Sequence, residues 1–225
     1  MSKLQIHQIP VLSDNYVYLA HCPETGDTAV VDPALAAPVL TEANRLGWAI
    51  THILNTHHHG DHIGGNAEIQ AATGCRIVAA QADRHRIPNI ATAVDEGDRV
   101  KLGNAEAQVF EVPGHTSGHI AYWFADSDAL FCGDTLFALG CGRMFEGTPS
   151  QFWSSLEKLR ALPDRTRVYC AHEYTQANAR FALSMEKRTN PFLRADKPEL
   201  AGNLGMAGGN PIAVFAETRH RKDVF

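Results

Sequence analysis

Residues 56–62 read Thr56-His57-His58-His59-Gly60-Asp61-His62. His57 and His59 are two positions apart, so in extended chain they lie on one side. Gly60 lets the chain turn, and Asp61 and His62 follow at once. One metal ion cannot easily take four ligands from so short a run, whereas two adjacent ions can. Two ions facing one water is the arrangement of a hydrolase. The plainer readings are a fortuitous histidine cluster or an adventitious metal site. The spacing H-x-H-x-D-H is more restrictive than either requires. His58 should point away from the ions by strand alternation, in a supporting role.

Three more segments place ligand-type residues in a glycine-bearing loop just after a strand. They are Val112-Pro113-Gly114-His115-Thr116-Ser117-Gly118-His119, Phe131-Cys132-Gly133-Asp134-Thr135 and Cys170-Ala171-His172-Glu173-Tyr174. Strand ends hold side chains firmly while loops leave room for substrate. Convergence of the four strand ends would supply seven ligands. Sorted chemically, His57, His59 and His115 make a three-histidine site, Asp61, His62 and His172 make a second, and Asp134 bridges them. Imidazole and carboxylate without thiolate suit zinc, and also iron or manganese. His119 reads as a hydrogen-bonding core residue, and His7, His21, His52 and His85 as ordinary solvated or hydrogen-bonded histidines. Cys132, Cys141 and Cys170 read as buried structural thiols rather than nucleophiles.

Around these segments the pattern predicts strands at Leu4–Ile9, Tyr16–Ala20, Thr28–Val31 and Ile50–Asn55, with a helix over Ala36–Leu46 closed by Gly47. A helix over Gly65–Ala72 and a strand at Arg76–Ala79 follow, then a loop with a helical turn over 81–97. Further strands are expected at Arg99–Leu102, Ala105–Val112, Ile120–Phe124, Ala129–Cys132 and Arg167–Cys170, and helices at Pro149–Leu162 and Thr175–Met185. Asn210 as cap and Pro211 in the first turn open a last helix, Ile212–Val224. Helices covering the outer faces of two sheets give an α/β (α+β) fold, an αβ/βα four-layer sandwich.

With 225 residues, 44% hydrophobic and 20% charged, the chain fits one large domain, or one domain with a small appendage. A net charge of −5 implies no strong field for nucleic acid. No apolar run is long enough to cross a bilayer, and the start lacks a signal-peptide core. The five cysteines are scattered without a CxxC pair, so a reduced, cytoplasmic setting is expected. A monomer is expected.

The H-x-H-x-D-H run, the GHTSGH and GDT segments and the late histidine resemble the metallo-β-lactamase superfamily. Finer text resembles the glyoxalase II (hydroxyacylglutathione hydrolase) family: Thr56–His59, Gly114–His119, Cys132–Phe137 continuing to Gly140-Cys141-Gly142-Arg143, Glu146-Gly147-Thr148, Ala171–Thr175, Asn190–Arg194 and Arg219–Asp223. The resemblance implies a catalytic domain over 1–172 and a short helical substrate-binding region over 173–225. It implies hydrolysis of S-2-hydroxyacylglutathione thioesters, chiefly S-D-lactoylglutathione, to glutathione and a 2-hydroxy acid, in methylglyoxal detoxification. The same seven residues would hold the metals, and Asp134 would orient a hydroxide bridging them that attacks the thioester carbonyl. Arg143, Phe145, Tyr174, Arg219 and Lys222 would hold the glutathione end. Arg219 and Lys222 are three apart, hence neighbours on a helix.

Two departures stand out. The family more often carries Lys at the position of Arg143 and Tyr at that of Phe145. Relatives usually also carry a further stretch of helix and loop between Ser184 and Met185, so the C-terminal part is expected to be reduced. Rival readings are a broader esterase or lactonase on the same fold, a glutathione persulfide dioxygenase with one iron, and a metal-binding protein without turnover.

Overall fold

The computed structural model describes residues 3–173, 180–182 and 187–224. One sheet runs in the order β1 (Gln5–Val11), β2 (Asn15–His21), β3 (Asp27–Val31), β4 (Ala49–Leu54), β5 (Arg76–Ala80) and β6 (Ile90–Val94). The second sheet has β14 (Arg180–Ala182), β13 (Arg167–Cys170), β10 (Ala129–Gly133), β9 (Ile120–Phe124), β8 (Ala105–Glu111) and β7 (Arg99–Leu102) in that spatial order. Both sheets are mixed. β3 to β6 pair in parallel, as do β10 and β13, and the other pairs are antiparallel.

Period-two alternation sorts each strand's side chains onto two buried faces. In β2, Tyr18 and Ala20 enter the core between the sheets, while Val17 and Leu19 face outward under helices. β10 does the same, with Ala129 and Phe131 inward and Leu130 and Cys132 outward. Helices α1 (Ala36–Leu46) and α3 (Asn66–Thr73) cover the first sheet through Val39, Ala43 and Ile69. Helix α4 (Pro149–Arg160) and the C-terminal helix Pro211–Asp223 cover the second through Phe152, Leu156, Leu159 and Phe215. Three apolar layers between four structural layers make the expected αβ/βα sandwich.

Local chemistry sets the helix ends. Gly47 closes α1 with φ 70°, donating its N–H to the carbonyls of Ala43 and Asn44. Thr148 and Gln151 form a reciprocal capping box at α4, with Pro149 in the first turn. Asn210 caps the C-terminal helix by accepting from the Ala213 N–H at 2.9 Å, again with Pro in the first turn.

Several described segments differ from the sequence expectation. Ile90–Val94, expected within a loop, is the edge strand β6. Arg180–Ala182 falls inside the expected helix Thr175–Met185 but pairs antiparallel with β13. The rest of that expected helix, and the shortened stretch around Ser184, lie outside the described residues. Leu136–Phe137 (β11) and Gly140–Cys141 (β12) form a small ribbon that periodicity did not suggest. A four-residue helix, α2 (Gly60–Ile63), carries Asp61 and His62.

Asn190 helps tie the ribbon to the C-terminal part. Fully buried Asn190 donates through Nδ2 to the carbonyls of Phe137 at 3.2 Å and Gly140 at 2.9 Å. Its Oδ1 accepts the Phe192 N–H at 2.9 Å. Asn190→Ala would leave buried backbone groups without partners, so a loss of about 2 kcal/mol is expected in urea unfolding. A variant within experimental error of the parent would show that the tie is dispensable.

Candidate metal centre

The site forms where the C-terminal ends of β3, β4, β10 and β13 open toward one edge of the sandwich. β4 delivers 55–62, the β8–β9 loop delivers His115, β10 ends at Gly133-Asp134, and β13 is followed by His172. The turn between β1 and β2 closes the site from the side, with Tyr16 N–H donating to the Ala171 carbonyl at 2.7 Å. Gly133, at φ 48°, sits against Thr56 and His119 where a Cβ has no room.

Three groups of converging ligand atoms result, one of them Asp32, His57 and His62; the other two are the expected ones. His57, His59 and His115 converge, with His57 Nε2 and His115 Nε2 each 3.1 Å from His59 Nδ1. Asp61, His62 and His172 form the second group, with His62 Nε2 and His172 Nε2 each 3.4 Å from Asp61 Oδ2. Asp134 stands between them. Its Oδ2 is 3.2 Å from His115 Nε2, and its Oδ1 is 3.5 Å from His62 Nε2 and 3.3 Å from His172 Nε2. The structure thus brings all seven residues together, and His58 falls outside all three groups.

These spacings fit cations. Ligand atoms about 2.0–2.1 Å from a tetrahedral zinc ion lie about 3.3 Å apart. A single proton can serve only one of the close contacts at His59, whereas a cation serves all three imidazoles. His62 Nε2 and Asp134 Oδ1 are buried without a hydrogen-bond partner in the structure. Buried polar atoms ordinarily have one.

The supporting hydrogen bonds aim the imidazole lone pairs inward. Thr56 Oγ1 gives its proton to Asp32 Oδ2 at 2.7 Å, so the 3.1 Å contact with His57 Nδ1 makes that nitrogen the donor. His115 Nδ1 donates to the Arg143 carbonyl at 2.7 Å, and His172 Nδ1 to Asp14 Oδ1 at 3.0 Å. Each ring then turns a bare Nε2 into the site, as metal-binding histidines require. Asn15 Nδ2 donates to Asp61 Oδ2 at 2.9 Å, and Asp32 Oδ2 lies 3.3 Å from His62 Nδ1. His119 accepts the Asp134 N–H at Nε2, 3.1 Å, and donates from Nδ1 to the Ile120 carbonyl at 3.0 Å. It is the hydrogen-bonding core residue the sequence suggested.

The electrostatics agree. Burial pushes the pKa of His57 well down, reinforced by His62 and the other neighbouring imidazoles, so the ring is neutral. Burial also lowers His115. Burial would raise Asp134, but His62, His172 and His115 outweigh it and hold the carboxyl at about 2. The His62 ring, 3.4 Å away, depresses Asp61 against its burial. Burial pushes the Cys141 and Cys170 thiols up to about 12, so neither supplies a thiolate at neutral pH. All five cysteines are buried and none is in a disulfide.

A cavity of about 640 Å³ opens from these groups and is walled by the β11–β12 ribbon, Arg143, Phe145, Arg219 and Lys222. The exposed Phe145 ring stands edge-on to His59 and His115, with centroids 5.8 and 5.2 Å away. Arg143 and Lys222 are exposed, whereas Arg219 is only 3% exposed. Tyr174 lies outside the described residues.

Residues 10–172 match the family model "Metallo-beta-lactamase superfamily", and residues 183–225 match "Hydroxyacylglutathione hydrolase C-terminus". Hydroxyacylglutathione hydrolase of Methylococcus capsulatus is 56% identical across 99% of both chains. The chain belongs to the hydroxyacylglutathione hydrolase family of the metallo-β-lactamase superfamily. Among solved structures, ETHE1 from Myxococcus xanthus is 30% identical with a TM-score of 0.76, covering 94% of this chain and 88% of that one. TTHA1623, solved in a di-iron-bound form, is 28% identical with a TM-score of 0.69, covering 84% of this chain and all of that one. The alignment with the Methylococcus member of the family spans 253 positions, at least 28 more than this chain's 225 residues. This member is therefore missing positions that its relative has.

Sequence reasoning missed the supporting residues. Asp14, Asn15 and Asp32 are among them. Their signal was a carboxylate or amide at a strand end that meets the ligand-bearing ends in space. A second network was also missed. His58 Nδ1 lies 3.5 Å from fully buried Asp83, and Arg86 bridges Asp83 at 2.6 Å and Glu146 at 2.8 Å. Glu146 also accepts the N–H and hydroxyl of Ser117 at 2.7 and 2.8 Å, tying the His115 loop to the pocket wall.

Burial would raise Glu146, but Ser117 and Arg86 hold its carboxyl down at about 2, from an ordinary 4.5. A depressed carboxyl stabilises the fold above its unfolded pKa and loses that contribution as pH falls through the folded one. Glu146→Gln should therefore melt below the parent at pH 7, with the gap closing between about pH 4.5 and about pH 2. A gap that persists at pH 2 would exclude the carboxylate as its source.

Proposed function

We propose that this protein hydrolyses S-(2-hydroxyacyl)glutathione thioesters, chiefly S-D-lactoylglutathione, to glutathione and a 2-hydroxy acid such as D-lactate. That places it in methylglyoxal detoxification. The observation that carries the reading is the convergence of seven His and Asp ligand atoms beside a cavity edged by Arg143 and Lys222. Full-length identity of 56% to a hydroxyacylglutathione hydrolase supports the substrate.

His57, His59, His115 and Asp134 would hold one divalent ion, and Asp61, His62, His172 and Asp134 the other. The N/O donor set suits zinc best, with iron or manganese compatible. The di-iron form of TTHA1623 supports a two-ion site. Bound there, two divalent ions would lower the pKa of an intervening water and polarise the thioester carbonyl.

The chain's own groups do the rest. Asp134, held at its backbone by His119, orients the attacking oxygen at the centre of the site. Asp14, Thr56 and the Arg143 carbonyl keep the imidazoles in one tautomer and one orientation. The Phe145 ring screens His59 and His115 from solvent. The thiolate of glutathione leaves without a strong general acid, because a thiol pKa is about 8.5.

The glutathione end is assigned to Arg143, Phe145, Tyr174, Arg219 and Lys222. Residues 1–172 would form the catalytic domain, and residues 173–225 a short substrate-binding region. No described helix is long and apolar enough to cross a membrane. Five buried cysteines without a disulfide suit a reducing compartment, and we place the protein in the cytoplasm as a monomer. A net charge of −5 supports no nucleic-acid role.

Metal-loaded protein should release thiol from S-D-lactoylglutathione, and lose the activity to a chelator and regain it with zinc. Absence of thiol release from protein carrying two metals per chain would sink the assignment. Asp134→Asn should lower kcat by about 100-fold or more, as for loss of a group acting at the reacting centre. Lys222→Met should instead raise KM by about 10-fold with kcat nearly kept, the pattern of lost ground-state binding.

A further inference from the structure

His59 and His115 reach the three-histidine corner from different strand ends, and one side chain touches the supports of both. Arg86 follows the helical turn Gln81–Asp83 that comes after β5. Its Nε donates to Asp83 Oδ1 at 3.0 Å, and one terminal nitrogen reaches the same oxygen at 2.6 Å. That nitrogen also donates to the Ser117 hydroxyl at 3.0 Å. The other donates to Glu146 at 2.8 Å and lies 3.5 Å from His58 Nε2. One guanidinium thus joins Asp83, His58, Ser117 and Glu146, which come from four separate segments of chain.

Each of these contacts leads toward the site. Asp83 is fully buried, and its carboxylate presses on Gly118, where a Cβ has no room. Its Oδ2 lies 3.5 Å from His58 Nδ1, and neither atom has a hydrogen-bond partner in the structure. The His58 ring stands edge-on to His59, with centroids 4.9 Å apart. Ser117 lies two residues past His115 and shares Glu146 with Arg86. Two backbone bonds stitch the segment around Glu146 to the same loop. Phe145 N–H donates to the His115 carbonyl and Gly147 N–H to the Gly114 carbonyl, both at 3.2 Å. Arg86 therefore stands behind His59 on one side and behind His115 on the other.

We propose that Arg86 is a positioning residue for the three-histidine corner, fixing the spacing of His59 and His115 from outside. It acts through Asp83 and His58 on the His59 side, and through Ser117 and Glu146 on the His115 side. This rests on the two-ion reading of the site. Such a brace has a physical task. His115 Nε2 lies 3.1 Å from His59 Nδ1, and two bare imidazole nitrogens at that distance repel until a cation sits between them. Arginine suits the task because its planar fork carries five N–H donors and can serve two carboxylates and a hydroxyl at once. A lysine ammonium is a point charge that can keep Asp83 company but cannot span the same set.

The test compares Arg86→Lys, Ser117→Ala and the double variant Asp83→Asn/Arg86→Met, which leaves no buried charge unpaired at Asp83. Zinc per chain is followed under chelator competition, and melting is recorded with and without zinc. Arg86→Lys should give up one of its two zinc ions at least about 10-fold more readily, the scale of losing support behind a metal ligand. The double variant should lose it at least as readily. Ser117→Ala, which frees only the His115 side, should fall between Arg86→Lys and the parent. The rise in melting temperature that zinc produces should shrink in the same order, because stabilisation by a ligand follows its affinity. Diffraction at the zinc absorption edge from partly chelated crystals should show the missing ion at His57, His59 and His115.

A network that serves only the fold would lower melting equally with and without zinc, and would leave zinc retention at the parental value. That outcome in Arg86→Lys, or loss of the ion at His62 and His172 instead, would overturn the proposal. Arg86→Lys and Ser117→Ala carry the test if the double variant does not fold. A parent protein that binds fewer than two zinc ions per chain would sink the two-ion reading, and the brace with it. Parental zinc retention in the variants of a two-zinc parent counts against the brace alone.

Discussion

Seven imidazole and carboxylate groups crowd one end of this sandwich at spacings of 3.1–3.5 Å. Left to themselves, bare imidazole nitrogens repel and buried carboxylates seek protons. The arrangement is stable only when positive charge sits among them. Burial would lower the pKa of His62, but Asp134, Asp32 and Asp61 drive it well above its ordinary value. The rest of the architecture holds these groups close while keeping their lone pairs free.

That holding is distributed over the whole molecule. The β1–β2 turn supplies Asp14 to His172 and Asn15 to Asp61. Asp32, at the end of β3, accepts from the Thr56 N–H and hydroxyl at 2.8 and 2.7 Å and faces His62. The β11–β12 ribbon supplies the Arg143 carbonyl to His115, and the C-terminal helix fixes the ribbon. Each ion-binding corner therefore has its own outer support. The cavity wall and the support behind His115 share the segment 140–143.

Most of the sandwich was legible because both faces of its inner strands are buried. Val17-Tyr18-Leu19-Ala20 and Leu130-Phe131-Cys132 are apolar whichever way they point, and such runs read as strands. Edge elements were not legible. Ile90–Val94 is largely half-buried or exposed and is a strand because β5 offers it hydrogen bonds. Arg180–Ala182 likewise extends along β13, where local pattern suggested helix. Backbone pairing with a distant strand leaves no mark on side-chain periodicity.

The sequence by itself determined the ligand types, their pairing within 56–62 and the strand-end loops that deliver the others. Those follow from residue chemistry and short-range geometry, which act within a few positions. It also carried the resemblance that names the family. Only the tertiary structure decided which atoms face the ions. That choice depends on donors far away in sequence, such as Asp14 for His172 and the Arg143 carbonyl for His115. It also set Arg219 and Lys222 in different surroundings. Three residues apart on one helix, Arg219 is buried against backbone carbonyls, whereas Lys222 is exposed beside Phe192 and Gly140 at the cavity.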